Sequence, residues 1–295
     1  MNTNLHFHGD DLTPSSPEDG LFHVIPVPYE KTVSYTPGTG NGPQALLEAS
    51  CQLELFDGKS VGALAGIHTT PFVDCQGSED QALRAIAHAV RQCLALQKIP
   101  VVLGGEHTVT GAVVEALLER DEHFGVIQFD AHADLRDTYQ GNPLSHACVM
   151  RRIDDLGVPI MQLGTRSYSQ EEFLFRKQRG IPFLDAEDIF KYGIDQFELP
   201  ADFPKKVFIT FDIDALDPGL MPATGTPVPG GLGWYQAMWL LEKIMEERIC
   251  LGFDLVEFSP IPFLPGAAFT GAQLVYAMMG YLTRSAKNRQ FWQLP

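Results

Sequence analysis

Short apolar runs that alternate with longer amphipathic segments are the feature that most restricts how this chain can fold. Runs such as 101–103 are apolar at consecutive positions, which indicates strands buried on both faces. In the segment 80–96 the apolar residues instead fall on one side of a helix. Buried strands that alternate with helices are typical of a mainly parallel sheet covered by helical layers. The pattern therefore predicts an α/β fold.

The same pattern locates the individual elements. The expected strands are 22–26, 99–103, 125–129, 160–163, 207–211 and 250–255. The expected helices are 43–50, 80–96, 110–120, 146–156, 170–179, 235–247 and 267–282. No internal repeat, linker or change of composition divides the chain, so we expect one catalytic domain over 21–295 after a polar N-terminal tail at 1–20.

Charge and cysteine content narrow the classes of function. The net charge of −16 argues against a nucleic-acid partner, because phosphate binding needs clustered Lys and Arg, but it suits a cationic substrate. No apolar run is long enough to span a membrane, and we expect no membrane partner. The five cysteines are scattered and unpaired in spacing, as in proteins with reduced thiols. We therefore expect a cytoplasmic protein.

Histidines and carboxylates follow three of the expected strands directly. The strand at 99–103 runs into GGEH (104–107), the strand at 125–129 into DAHAD (130–134), and the strand at 207–211 into DIDALD (212–217). In open parallel sheets, ligands bind outside the carboxyl ends of the strands. We therefore expect the side chains of these three motifs to meet at one edge of the sheet.

The chemistry of these motifs points to metal ions. Alternate residues of an extended chain point to the same side, so Asp130, His132 and Asp134 can converge unless the segment turns into a loop. Asp212 and Asp214 repeat this spacing. Clustered carboxylates repel one another at low dielectric, and two divalent cations would neutralise them. Isolated motifs of this kind are often only turns or helix caps, but three of them after buried strands favour a metal site.

The motifs resemble those of the ureohydrolase family, which includes arginases, agmatinases, guanidinobutyrases and formiminoglutamases. The likeness covers almost the whole chain and is carried by VPYEKTVSYTPGTGNGP (27–43), GGEH (104–107), FDAHADLRD (129–137), SHACVMRR (145–152), FDIDALDPGLMPATGTPVPGGL (211–232) and DLVEFSP (254–260). It implies a three-layer α/β/α arginase-like fold with a mainly parallel central sheet. It also implies two Mn²⁺ ions per subunit, and oxygen ligands with some imidazole and no thiolate agree with that metal.

The resemblance assigns roles to individual residues. His107, Asp130, Asp134 and Asp212 would hold one metal ion. The second ion would be held by His132, Asp130, Asp212 and Asp214, so that Asp130 and Asp212 bridge the pair. Glu106 stands where many members of the family have Asp.

Three residues would take part in catalysis. A hydroxide that bridges the two Mn²⁺ ions would attack the guanidinium carbon, and Asp134 would orient it. Glu257 would pair with the substrate guanidinium, and His146 would relay a proton to the leaving amine. An ordinary helix-start histidine is the alternative for His146. Asp217, three residues past the DID pair, is expected to shape its loop.

The substrate is less sharply indicated than the reaction. The loop after DAHAD and the segment 164–172 resemble agmatinases, so agmatine, hydrolysed to putrescine and urea in polyamine biosynthesis, is the first expectation. N1-aminopropylagmatine and 4-guanidinobutyrate are alternatives, followed by arginine and formiminoglutamate. Residues expected to line the pocket for the substrate tail are Tyr139, Arg166, Glu171 and Glu172.

Arg136 or Arg166 pointing into the pocket would favour the carboxylate substrate 4-guanidinobutyrate, whereas an acidic wall would favour the amines. A zinc deacetylase on the same fold, or a non-catalytic relative, are further alternatives. The resemblance also implies a homo-oligomer, either a trimer or a hexamer.

Overall fold

A parallel eight-stranded sheet forms the centre of the molecule in the computed structural model, which describes residues 5–9, 11–121, 123–195 and 197–294. The strands are Phe22–Pro26 (β1), Ile67–Thr69 (β2), Ile99–Leu103 (β3), Gly125–Phe129 (β4), Ile160–Leu163 (β5), Phe183–Leu184 (β6), Lys206–Asp212 (β7) and Ile249–Val256 (β8). Their order across the sheet is β2-β1-β3-β8-β7-β4-β5-β6, and every pair of neighbours is parallel. The prediction of a mainly parallel sheet is confirmed.

Helices connect the strands in sequence. Within the described residues they are Gly42–Ser50 (α1), Glu79–Ala95 (α2), Val109–Leu118 (α3), Val149–Asp155 (α4), Gln170–Arg179 (α5), Ala186–Tyr192 (α6), Trp234–Glu247 (α7), Pro265–Arg284 (α8) and Ala286–Trp292 (α9). Local sequence sets several of their ends. Helix α2, for example, begins with a capping box in which Ser78 and Gln81 satisfy each other's backbone N–H groups.

Alternate residues of the strands enter two separate cores, one on each face of the sheet. In β3, Val101 and Leu103 pack into the core that also receives α1, α7 and α8. Val102, between them, packs on the opposite face with residues of α2, α3 and α4. This period of two explains why the strand sequences are apolar throughout. The predicted α/β/α layering is therefore confirmed.

The predicted elements agree with the structure within a few residues, with two kinds of exception. Strands β2 and β6 and helices α6 and α9 were not predicted, because they are only two to seven residues long and carry little periodicity. The helix predicted at 146–156 begins as a 3-10 turn at His146–Cys148 before α4.

The polar N-terminal segment packs against the body of the protein. Phe7 and His8 are buried, and their backbone N–H groups donate to the side chains of Thr69 and Ser50. Residues 1–4 and 10 of the predicted tail lie outside the described residues, as do 122, 196 and 295 of the predicted domain. Among the described helices, none combines the length and the apolar character that crossing a membrane requires.

Candidate metal centre

Four adjacent strands, in the order β3-β8-β7-β4, end at the same edge of the sheet. His107 follows β3 after a short turn, Glu257 directly follows β8, Asp212 ends β7, and Asp130 directly follows β4. Because parallel strands present their carboxyl ends together, one edge collects imidazole and carboxylate groups from four segments that are distant in sequence.

A glycine allows the turn after β3 to bring His107 into this cluster. A Cβ atom on Gly105 would lie 2.0 Å from the carbonyl oxygen of Tyr29, closer than any real contact. The backbone N–H of Glu106 donates to the same oxygen at 2.9 Å. Only a residue without a side chain permits this close approach of two backbone segments.

The first group of candidate ligands surrounds His107. Its Nδ1 atom lies 3.1 Å from Asp130 Oδ2, 3.1 Å from Asp134 Oδ2 and 3.5 Å from Asp212 Oδ2. All four side chains are buried. The structure thus brings together the four residues assigned to one metal ion.

The second group surrounds His132. Its Nδ1 atom lies 3.0 Å from Asp214 Oδ2 and 3.6 Å from Asp130 Oδ1. Asp130 therefore directs one oxygen to each group, as a bridging ligand must. Asp212 is joined to the second group through Asp214, whose backbone N–H donates to Asp212 Oδ1 at 2.9 Å.

Unpartnered buried atoms show that these residues fit metal ions. Neither His107 Nδ1 nor Asp214 Oδ2 has a hydrogen bond of acceptable geometry, although both atoms are shielded from solvent. Buried polar atoms are normally satisfied, and a cation would satisfy both of these. Within the described residues, two groups offer three converging ligand atoms each, namely His107–Asp130–Asp212 and Asp130–His132–Asp214.

The charge balance of the two groups agrees with this interpretation. Burial opposes protonation of His132, but the negative charges of Asp214 and Asp130 outweigh it and raise its pKa to about 12. Burial and the charge of Asp130 raise the pKa of Asp134 to about 7. Burial and neighbouring carboxylates also raise the pKa of Asp212 well above its usual range. The raised pKa values reflect mutual repulsion of the clustered carboxylates, which bound cations would relieve.

A chain of hydroxyl groups lies behind His107. Its Nε2 atom is 2.9 Å from Thr210 Oγ1, which is 3.2 Å from Thr110 Oγ1. Thr110 in turn donates to Asp254 Oδ2 at 2.8 Å. A partner at Nε2 fixes the orientation of the imidazole ring and directs Nδ1 towards the carboxylates, as is usual for histidines that bind metals.

Two residues of the site have left-handed backbone conformations. Asp134 has φ +52° and Glu257 has φ +60°. This conformation is uncommon for residues other than glycine and costs about 1–3 kcal/mol. Contacts hold both residues in place: Glu257 Oε1 accepts the backbone N–H of His107 at 2.7 Å, and the Asp134 carbonyl accepts the N–H groups of Met150 and Arg151 in the first turn of α4.

A cavity of about 270 Å³ opens beside the two groups of candidate metal ligands. His132, Asp134 and Asp212 lie at its inner end, together with Glu257 and His146. The catalytic residues implied by the family resemblance therefore line one cavity. Burial raises the pKa of Glu257 to about 8, whereas burial and the nearby charge of His107 lower the pKa of His146 to about 4.

The four residues expected at the substrate tail divide into two pairs. Tyr139 and Glu172 line the cavity. Arg166 does not, because its guanidinium donates to the carbonyl oxygens of Asp214 and Val228, both at 2.7 Å, and so holds the loop after β7. Glu171 is exposed in the first turn of α5 and also lies outside the cavity wall.

Asp217 shapes its loop, as expected. Its carboxylate accepts the backbone N–H groups of Gly219, Gly230 and Gly231, at 2.9–3.1 Å. It does not join either group of candidate metal ligands.

Several cavity residues were not predicted. Ser34, Ser167, Tyr168 and Thr226 line the wall, and Thr32 contacts His146 from behind. Ser34 and Thr32 follow β1, whose carboxyl end faces the same edge of the sheet, so their position after a strand is a signal that could have found them.

Comparisons with known proteins agree with this geometry. The family model described as "Arginase family" matches residues 21–280. An N(1)-aminopropylagmatine ureohydrolase of Synechocystis sp. is 38% identical over 283 residues, which are 92% of each chain. An agmatinase of Pyrococcus horikoshii is 34% identical over 272 residues, with 90% of this chain and 94% of the relative covered.

A solved structure also resembles this chain over nearly its whole length. The crystal structure of agmatine ureohydrolase of Thermoplasma volcanium superposes with a TM-score of 0.85 at 29% identity, and the alignment covers 97% of this chain and 96% of the other. The family model spans most of the sequence, and relatives above 30% identity align over nearly the full length. This chain therefore belongs to the arginase family.

Proposed function

We propose that this protein hydrolyses a linear guanidino compound to urea and an amine, and that agmatine, which gives putrescine, is its substrate. The observation that carries the proposal is one cavity whose inner end combines two groups of candidate metal ligands with the carboxylate of Glu257. The names of the relatives support the same chemistry, since both agmatinases and N(1)-aminopropylagmatine ureohydrolases cleave urea from a guanidino group.

The metal ions would be two Mn²⁺ per chain. His107, Asp130, Asp134 and Asp212 would hold one, and His132, Asp130, Asp212 and Asp214 the other. Imidazole and carboxylate ligands without thiolate support manganese. Such a pair of cations, when bound, supplies a nucleophile at neutral pH and stabilises developing negative charge.

Glu257 would orient the substrate. Its Oε1 atom is fixed by the backbone N–H of His107, and Oε2 would pair with the planar guanidinium. The pKa of Glu257, raised to about 8 by burial, means that the carboxyl group is easily protonated without a cationic partner. A guanidinium beside it would favour the ionised form, so substrate binding and ionisation of Glu257 support each other.

Proton transfer would involve Asp134 and His146. Asp134 would accept a hydrogen bond from the attacking water and direct it to the guanidinium carbon. His146, whose lowered pKa keeps its imidazole neutral near pH 7, would take up a proton and pass it to the leaving amine.

The outer part of the cavity would bind the substrate tail. Its wall includes Tyr139, Glu172 and the Ser167–Ser169 segment, and Arg136 lies beside Glu172 with Nε 3.6 Å from Oε2. Because Glu172 faces Arg136, the arginine is not left as an unopposed positive charge. The wall thus carries one charge of each sign, and the choice of agmatine over 4-guanidinobutyrate rests on the likeness to agmatinases.

N1-aminopropylagmatine is the second candidate. The observation in its favour is that relatives with this substrate in their name reach 38% identity. The presence of Arg136 in the wall keeps 4-guanidinobutyrate as a third candidate. N1-aminopropylagmatine and 4-guanidinobutyrate share the guanidino group with agmatine and differ from it in the tail, which would lie at the outer end of the cavity.

A urea-release assay on Mn²⁺-loaded protein tests the proposal. The panel is agmatine, N1-aminopropylagmatine, 4-guanidinobutyrate, arginine and formiminoglutamate, and metal content is measured on the same sample. We expect about two Mn²⁺ per chain and the highest kcat/KM for agmatine. One Zn²⁺ or no metal, or no urea from any substrate, would contradict the proposed reaction; a preference for another member of the panel would replace agmatine alone.

We further propose that the protein is a cytoplasmic homo-oligomer, a trimer or a hexamer, that serves polyamine biosynthesis. The free state of all five cysteines is compatible with a reducing compartment. Light scattering coupled to size-exclusion chromatography measures the number of subunits, and a monomeric mass of 32.6 kDa would contradict an oligomer.

A further inference from the structure

The carboxylate of Glu106 is adjacent to a metal ligand in sequence but turns towards another part of the site. It is fully buried. Its Oε2 atom accepts the backbone N–H groups of Lys31 and Thr32 at 2.6 and 2.7 Å, and its Oε1 atom accepts the hydroxyl groups of Thr32 and Thr108 at 2.7 and 2.9 Å. Glu106 therefore binds the loop after β1 to the turn after β3.

The Thr32 hydroxyl connects this carboxylate to His146. Thr32 Oγ1 lies 3.1 Å from His146 Nδ1 and accepts the backbone N–H of His146 at 3.0 Å. On the other side of the ring, Ser34 Oγ lies 3.3 Å from Nε2. Three residues that are distant in sequence thus form one hydrogen-bonded chain from Glu106 to the wall of the cavity.

The directions of these hydrogen bonds follow from the number of protons. A threonine hydroxyl has one proton to donate, and that of Thr32 is used on Glu106. Towards His146 the same oxygen can only accept, so Nδ1, which faces it at 3.1 Å, must carry a proton; Ser145 Oγ, at 3.5 Å from Nδ1, then acts as a second and more distant acceptor. In the neutral imidazole, Nε2 is then the nitrogen with a free lone pair, and it accepts from Ser34.

We propose that Glu106, acting through the Thr32 hydroxyl, is a positioning residue that holds His146 in the tautomer with the proton on Nδ1 and the lone pair of Nε2 towards the cavity. This tautomer allows Nε2 to take up a proton and pass it to the leaving amine. The catalytic part of this inference rests on the proposed function, whereas the assignment of the tautomer rests on the hydrogen bonds alone.

The length of the glutamate side chain fits this role. An aspartate at 106 would withdraw the carboxylate by roughly one C–C bond, about 1.5 Å, from donors that now lie at 2.6–2.7 Å. The presence of Glu, where many members of the family have Asp, is thus matched to the position of the Lys31–Thr32 backbone.

The nearly isosteric change Glu106→Gln tests the direction of the hydrogen bonds from Thr32 to Glu106 and His146. Its amide oxygen can still accept from Lys31 and Thr32, but its amide nitrogen would donate to Thr32 Oγ1. The Thr32 proton would then turn to His146 Nδ1 and shift the ring to the tautomer with the proton on Nε2. The readout is the ¹⁵N NMR spectrum of histidine-labelled protein loaded with diamagnetic Zn²⁺, with His146 assigned from a His146→Asn sample.

We expect the Nδ1–H tautomer in the unsubstituted protein and the Nε2–H tautomer in Glu106→Gln, at equal metal content. In the Mn²⁺ enzyme, kcat should fall by about tenfold and KM should change by less than about twofold. An Nε2–H tautomer in the unsubstituted protein, or an unchanged tautomer in Glu106→Gln, overturns the inference. A protein that releases no urea but shows these spectra contradicts the proposed function and leaves the tautomer assignment intact.

A second pair of variants decides the matter if Glu106→Gln does not fold. Thr32→Ser retains the hydroxyl and should keep the Nδ1–H tautomer. Thr32→Val removes the acceptor and should give a mixed population. A Thr32→Val spectrum identical to that of the unsubstituted protein overturns the inference.

Discussion

The inner and outer ends of the cavity are built in different ways. At the inner end, buried side chains from four adjacent strand ends hold one another, and His107 and Asp130 have almost no exposed surface. At the outer end, the wall comes from loops and the first turn of α5, and the Arg136 side chain is 38% exposed. Water screens the half-exposed Arg136 more strongly than the buried ligands at the inner end, whereas the Glu172 side chain beside Arg136 is itself only 5% exposed. Equal changes at the two ends should therefore have unequal effects.

The backbone is also more strained at the inner end of the cavity than at the outer end. Asp134 and Glu257 at the inner end have left-handed conformations, whereas Ser169 and Glu172 at the outer end form an ordinary capping box at the start of α5. Strained residues persist only where their surroundings fix them. The inner end should therefore tolerate almost no substitution, and the outer end should change selectivity before it loses activity.

The largest effect is expected for Asp130→Asn. Asp130 directs one oxygen to each histidine, so its loss should remove both metal ions and lower kcat/KM at least about a thousandfold. Metal analysis and the urea assay on the same sample measure this. Asp217→Asn is the matched control, since the Asp217 carboxylate accepts backbone N–H groups of its own loop and its variant should keep both metals. Full activity of Asp130→Asn would contradict the bridging role.

Glu257→Gln should have the next largest effect. The amide can still accept the His107 backbone N–H, so the fold and the metals should remain. It cannot provide the negative charge for the guanidinium, and kcat/KM should fall by about a hundred- to a thousandfold. The measurement is steady-state kinetics beside metal content. A loss of metal together with activity would instead show that Glu257 supports the metal ligands.

The hydroxyl chain behind His107 should have a smaller effect, on metal affinity. Thr210→Val removes the partner of His107 Nε2 and should weaken metal binding by about ten- to a hundredfold. Thr210→Ser retains the hydroxyl and is the control. Competition with a chelator measures the affinity; equal affinities of the two variants would show that packing alone orients the imidazole.

The inner end could be predicted from sequence because its geometry is local to each strand. The residues after β3, β4 and β7 had to meet, since parallel strands end at a common edge. Asp130, His132 and Asp134 did converge, but not as one extended strand: Asp134 has φ +52°, so the chain turns after His132. Spacing therefore predicted which side chains come together, while the turn that brings them together depends on contacts with α4.

The outer end could not be predicted in the same way. Arg166 and Glu171 lie close in sequence to cavity residues, yet Arg166 turns to the carbonyl groups of the loop after β7 and Glu171 faces solvent. The direction of a loop side chain depends on partners that are distant in sequence, such as Val228 for Arg166. The Thr32–Glu106 contact was missed for the same reason, since 74 residues separate its partners.

The smallest effect, and the one that tests the outer end, is expected for Glu172→Gln. This change removes a negative charge opposite Arg136, so kcat/KM for agmatine should fall by about tenfold and that for 4-guanidinobutyrate should rise. The exposed neighbour provides the control, because Glu171→Gln should leave both values unchanged. Glu172 also accepts the backbone N–H groups of Leu135 and Ser169, and general damage to this anchor would lower both values together. The ratio of the two kcat/KM values therefore separates a role in selecting the substrate tail from a purely structural one, and an unchanged ratio would mean that the outer end does not recognise the charge of the tail.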